Sequence, residues 1–376
     1  MTELIKAFRS LFDVNMGVKK GERIIVFSDT IRPGESLLPP DATRRHRLLE
    51  VAEEAAQFAG AEYGHTGFVS YPATAASGVE PPEELWRSVF GDTIVQKLIT
   101  EGLFVRLLLK KADGAEVERA RHIVLNHASD VARVVVALAN NSTSHTRFRS
   151  LVNAAGGRFA SLPGFAPEMF FTSMTVDWQA LAVRTKKLAD AVNLAVTITV
   201  ETANGTSIRI GKEGRPAKGD DGILTAPGSF GNLPAGEVYL APLEGTSSGR
   251  LVLEYAPLRK LASPLELVVE DGVVVEIHGD EPYRCRLEEK FKESDLNRNI
   301  AELGIGTNDR ATCPDNILEA EKILGTVHVA LGDNSGFGGK VQTPFHEDYV
   351  FYHPTLTALH ADGSSHLIMK NGNLLL

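Results

Sequence analysis

The chain has two cysteines, Cys285 and Cys313, among its 376 residues. Neither has a CxxC partner, so a disulfide framework is excluded and a reducing compartment is expected. No apolar run approaches the roughly 20 residues needed to cross a bilayer. The first ten residues, Met-Thr-Glu-Leu-Ile-Lys-Ala-Phe-Arg-Ser, lack a long apolar signal core and a small-residue cleavage site. The expectation is a cytoplasmic protein with no membrane partner. Basic charge is short too: 39 Lys and Arg against 48 Asp and Glu leave a formal net charge of -9. That balance argues against nucleic acid as a partner. Two common catalytic signatures are missing. Gly332–Lys340 only loosely resembles a phosphate loop, because Asn334 and Val341 stand where that loop needs Gly and Ser or Thr. No serine lies in a GxSxG elbow.

What is present is a globular composition, 43% hydrophobic and 23% charged, in a chain long enough for two cores. The first half alternates helical spacing with short apolar runs. Leu4 to Met16, His46 to Phe58 and the stretch through Trp86 and Phe90 read as helices. Arg23 to Phe27 reads as a buried strand, and Phe104 to Leu109 and Val131 to Leu138 read as further strands with a buried helical piece as the alternative. This rhythm predicts a largely parallel sheet. After Val176 to Ala191 the chain turns β-rich, with hairpin signals at Asn204-Gly205 and Asp271-Gly272 and further ones at Asp362-Gly363 and Asn371-Gly372. The fold class expected is α/β, an N-terminal parallel α/β domain over 1–188 followed by a β-rich α+β domain over 189–376.

The second half also carries acids and imidazoles on strand-like segments. Glu237 alternates with Val238 and Leu240, His328 lies between Val327 and Val329, and His346 and Asp348 share one face at the two-residue period. Glu302 sits in Ala301-Glu302-Leu303-Gly304. Carboxylates and neutral imidazoles of this kind ligate divalent cations, and five are enough for two ions. Glu321 differs, because 315–322 reads as a short helix. It is either a surface ion-pair partner or a functional group, a general base or an additional ligand. His145 opens another predicted helix and is a candidate substrate contact.

These segments resemble the thermophilic metallopeptidase family, the aminopeptidase T and aminopeptidase S group. The resemblance runs through Gly231–Val238, Ala301–Gly306, Glu321–Gly332 and His346–Asp348. It implies a cytoplasmic homodimer, a metalloaminopeptidase that removes N-terminal residues from short peptides or small amide-like substrates. It implies two divalent ions (zinc, cobalt or manganese) on Glu237, Glu302, His328, His346 and Asp348, with Glu321, or else Glu302, shuttling the proton. The chain departs from that family after His328, where Asn334-Ser335 and glycines stand in place of a tyrosine. A second branch is similar: iron-dependent dioxygenases that open a dihydroxypyridine ring with one iron on two histidines and one aspartate. There a histidine stands at the position of Glu302, whereas here His328 with His346 and Asp348 would form such a triad by another route. A metal-binding protein without catalysis is the third expectation.

Overall fold

The structure is a computed structural model that describes residues 3–257, 259–313 and 316–376. Two compact units divide the chain: Met1–Thr175 with Gly222–Pro234, and Val176–Asp221 with Ala235–Leu376.

The first unit is built on five parallel strands, β1 (Ile24–Thr30), β2 (Thr66–Pro72), β3 (Val134–Ala137), β4 (Arg158–Ser161) and β8 (Phe230–Asn232). Their order is β2-β1-β3-β4-β8. β1, β3 and β4 are buried almost throughout, as parallel strands covered on both faces must be. Two local readings differ from expectation. Phe104–Leu108 is a helix: Leu103, Phe104 and Leu107 point inward while Val105 and Leu109 are exposed, a helical spacing that a six-residue apolar run disguises. The helix read over His46 to Phe58 spans Pro39–Tyr63 and passes through Gly60, ending at Gly64, whose φ of 94° only glycine adopts easily.

The second unit is antiparallel. Eight strands run in the order β12-β11-β10-β6-β5-β16-β17-β18: β5 (Ala195–Glu201), β6 (Ser207–Gly211), β10 (Ser248–Ala256), β11 (Arg259–Glu270), β12 (Val273–His278), β16 (Thr355–His360), β17 (Ser365–Lys370) and β18 (Asn373–Leu374). Asp271-Gly272 closes β11 on β12 as a two-residue turn with both φ values positive, 46° and 78°. Asn371-Gly372 does the same between β17 and β18. A second sheet, in the order β15-β14-β13-β9-β7, holds β7 (Lys218–Asp220), β9 (Glu237–Leu240), β13 (Ile300–Gly306), β14 (Thr326–Gly332) and β15 (His346–Tyr352). One apolar core joins the two sheets, with Ile198, Ile208, Leu251 and Leu265 from the first and Leu303, Ile305, Val327 and Val329 from the second. The architecture is therefore the expected one, a parallel α/β region followed by a β-rich α+β unit. Among the described residues no helix is long and apolar enough to cross a membrane.

Candidate metal centre

Strand register assembles the site. Across β9, β13, β14 and β15, Glu237 pairs with Gly306, Tyr239 with Gly304, and Gly304 with His328. Glu302 pairs with Ala330, Ala330 with Asp348, and Gly332 with His346. All these positions share one face of the sheet, because alternate side chains point the same way. The intervening residues Val238, Leu240, Leu303, Ile305, Val327, Val329 and Leu331 fill the core on the opposite face. Small residues between the functional ones give the imidazoles room. A Cβ at Gly304 would overlap ring atoms Cε1 and Nε2 of His328, so the ring lies directly over the glycine.

The ligand atoms converge. His346 Nε2 lies 3.5 Å from Glu302 Oε2 and 3.6 Å from Asp348 Oδ1. His328 Nε2 lies 3.5 Å from Glu302 Oε1 and 3.4 Å from Glu237 Oε2. Three overlapping groups have all ligand atoms within 4.8 Å of one another: Glu237-Glu302-His328, Glu302-His346-Asp348 and Glu321-His328-Asp348. Ligands about 2.1 Å from a common ion and near right angles apart lie on the order of 3 Å from each other. The imidazole–carboxylate separations of 3.4 Å to 3.6 Å need only a small contraction to reach that. Two further details fit a cation. His346 Nδ1 is 2.8 Å from the Asp333 carbonyl, which can only accept, so Nδ1 carries a hydrogen and Nε2 is the nitrogen that, once deprotonated, offers its lone pair to a cation in the cluster. Glu237 Oε2, which faces His328 Nε2 at 3.4 Å, is buried with no hydrogen-bond partner.

Behind this set lies a buried lysine. Lys322 Nζ donates to Glu237 Oε1 at 2.6 Å and to Glu321 Oε1 at 2.8 Å. Burial pushes the Glu321 carboxyl up to about 7, with Lys322 offsetting part of the effect. Burial alone would lower both imidazoles. The surrounding carboxylates outweigh it, holding His328 at about 9 through Glu302 and Glu237, and His346 at about 10 through Asp348 and Glu302. Asp348 is half-buried, and although desolvation opposes it, His346 pulls it down to about 2. Without a cation the imidazoles therefore carry protons at neutral pH. A metal ion must displace them, so binding releases protons and affinity falls as pH drops. The expected result is divalent-ion affinity that rises about tenfold or more per pH unit between pH 6 and 8, read by isothermal titration at several pH values. A flat profile would show that the imidazoles are not displaced.

All six side chains singled out as ligands or base in the sequence, Glu237, Glu302, Glu321, His328, His346 and Asp348, lie in this one cluster. Glu321 follows directly on the short helix Ile317–Ala320 and is turned inward, not out to solvent. Asp315, at the start of the expected helix, lies outside the described residues. His145 is exposed, in the first unit, and its carbonyl accepts from Lys110 Nζ. Sequence reasoning gave no role to Lys322, to the Asp333 carbonyl or to Phe337. Nothing local marks Lys322: it is one more charge in Glu319-Ala320-Glu321-Lys322. The glycine-rich segment after β14, which only loosely resembles a phosphate loop, is stitched down by side-chain hydrogen bonds. Buried Asn334 accepts from Val341 N–H and donates to Glu244, which also accepts from Lys340 N–H and pairs with Arg215. This anchoring carries Phe337, whose ring stands 6.0 Å from Tyr239 and 6.1 Å from His346, edge-on to both.

The fold and site thus define a protein whose second unit gathers a carboxylate–imidazole cluster fit for a metal ion. The chain belongs to the NicX family, 2,5-dihydroxypyridine 5,6-dioxygenase, whose model matches residues 110–375, more than half its length. No curated protein matches it. Among solved structures it is similar to a 2,5-dihydroxypyridine dioxygenase from Pseudomonas putida KT2440, at 18% identity and a TM-score of 0.68, covering 100% of this chain and 98% of that one. It is also similar to wild-type AmpT from Thermus thermophilus, at 14% identity and a TM-score of 0.62, covering 100% and 99%. At these identities the likeness establishes a shared fold. The family match overturns the expected aminopeptidase T and S membership. With it fall the metalloaminopeptidase activity, the assignment as a hydrolase acting in proteolysis, and the short-peptide or small-amide substrate. The physical reason is that carboxylates and imidazoles accept several divalent cations, so the ligand set alone does not fix which metal is bound or which reaction it supports.

Proposed function

We propose that this chain is a ring-cleaving dioxygenase that opens a dihydroxypyridine-type ring, with one iron ion held by Glu302, His346 and Asp348. The observation that carries this reading is the convergence of those three side chains around a His346 ring whose tautomer is set by the Asp333 carbonyl. The family match over 110–375 supports the same chemistry. Iron is preferred to zinc, cobalt or manganese because a bound iron(II) supplies the one-electron chemistry that dioxygen needs to react with a closed-shell ring. One imidazole and two carboxylates hold it here, in contrast to the two histidines and aspartate of the dioxygenase branch, because Glu302 stands where that branch has histidine. His328, on the adjacent strand, brings a second imidazole within 3.5 Å of Glu302. The two free cysteines are exposed, which suits a reducing cytoplasm.

The chain's own groups supply the rest. Tyr239 and Phe337 offer aromatic walls beside His346, suited to a planar ring in edge or offset contact. His346 is a third exposed, while Glu302 and His328 are buried. His328 stands between Glu237 and Glu302, its Nε2 3.4 Å and 3.5 Å from their carboxylate oxygens. Glu321, about half ionised near neutral pH, accepts the proton from a ring hydroxyl. The test is oxygen uptake by the iron(II)-loaded protein with 2,5-dihydroxypyridine, with loss of the ring absorbance followed in parallel. Consumption of one dioxygen per ring is expected. Iron-loaded protein that takes up no oxygen with any dihydroxypyridine would end this reading. In the same assay Glu321→Gln is expected to lower kcat by about 10²–10⁴ with little change in KM. An unchanged kcat would remove Glu321 from the proton path.

A further inference from the structure

We infer that the Lys322 ammonium is a built-in second cation that limits this cluster to a single metal ion. The inference rests on the one-metal reading above and supplies its structural cause. Lys322 is 1% exposed and spends its charge on the site: Nζ contacts Glu237 Oε1 at 2.6 Å and Glu321 Oε1 at 2.8 Å. Those carboxylates belong to the two ligand groups that share His328, Glu237-Glu302-His328 and Glu321-His328-Asp348. A second ion would need them, and the ammonium already occupies one oxygen of each. The remaining Glu237 Oε2 is buried without a hydrogen-bond partner, aimed toward His328 Nε2 at 3.4 Å.

Charge balance points the same way. Four carboxylates, Glu237, Glu302, Glu321 and Asp348, surround one ammonium and two imidazoles. With the imidazoles neutral, one divalent ion leaves a single residual negative charge. A second would leave the buried cluster positive, and uncompensated buried charge is strongly disfavoured. Replacing the lysine by a neutral side chain of similar length removes that obstacle: two divalent ions then balance the four carboxylates. Lys322 is thus a positioning residue that decides how many cations the site accepts.

The experiment is metal stoichiometry on the full chain, using manganese(II) as the probe, by equilibrium dialysis and elemental analysis. Wild type and K322R are expected to hold one ion per chain and K322M two. The double variant E237Q/K322M, which loses one acid along with the lysine, is expected to return to one. The melting temperature of K322M should fall below wild type without metal and rise through two equivalents of manganese(II). Two ions on wild type, or one ion on folded K322M, would overturn the inference. So would a K322M that stays unfolded in saturating manganese(II) while E237Q/K322M folds. The readout does not depend on ring cleavage. One ion with no oxygen uptake sinks the functional reading and leaves this one standing, and two ions sink this one whatever the activity.

Discussion

His346→Ala is expected to strip the protein of iron and to abolish ring cleavage while leaving it folded. The imidazole contributes the one nitrogen of the Glu302-His346-Asp348 group, and its Nδ1 bond to Asp333 holds Nε2 toward the carboxylates. Losing a partner that merely orients a ligand costs about 10–100-fold in metal affinity, so losing the ligand itself costs more. The side chain stands a third exposed at the first residue of β15, so its removal opens no core cavity. Iron content after dialysis, with circular dichroism as the folding control, decides the matter. A folded His346→Ala protein with full iron would place the ion elsewhere in the cluster.

Gly304→Ala should be nearly as damaging, although glycine is chemically inert. Position 304 pairs with Tyr239 on one side and His328 on the other, and its missing Cβ is the space the His328 ring occupies. A methyl group there meets ring atoms whose strand is buried along its whole length, so neither partner can retreat cheaply. Overpacking of a tight core costs about 1–3 kcal/mol and sometimes more. The displaced imidazole would also lose its approach to Glu302 and Glu237. The expected result is a lower melting temperature together with weaker iron binding. Gly336→Ala, at a position with open space around it, is the matched control and should stay within about 0.5 kcal/mol of wild type. Equal behaviour of the two variants would mean that His328 does not depend on the gap.

The polar face was legible because a strand has a period of two. Val238 and Leu240, Val327 and Val329, and Leu303 and Ile305 mark the buried side, so Glu237, His328 and Glu302 had to face the other way. Hairpin chemistry was equally local: Asp271-Gly272 and Asn371-Gly372 adopt the positive φ values their residue types favour. Phe104–Leu108 reads as strand or helix for the converse reason, since a short run of apolar residues carries no readable period, and the structure makes it a helix. The reaction class failed at another level. Two branches with a similar ligand layout differ in what the ion does, and the layout alone does not distinguish them.

By themselves the residues determined the α/β and β-rich halves, the alternation that separates core from site, and the acids and imidazoles available to a cation. Which of these meet was decided by register between strands that are far apart in the chain: Glu237 reaches Gly306 and Asp348 reaches Ala330 only once β9, β13, β14 and β15 pair. The same folding buries Lys322 against Glu237 and Glu321. Burial strengthens every charge contact made there, because little water remains to screen it. No local pattern could announce that lysine, since its partner Glu237 lies on a strand formed long before it in the sequence.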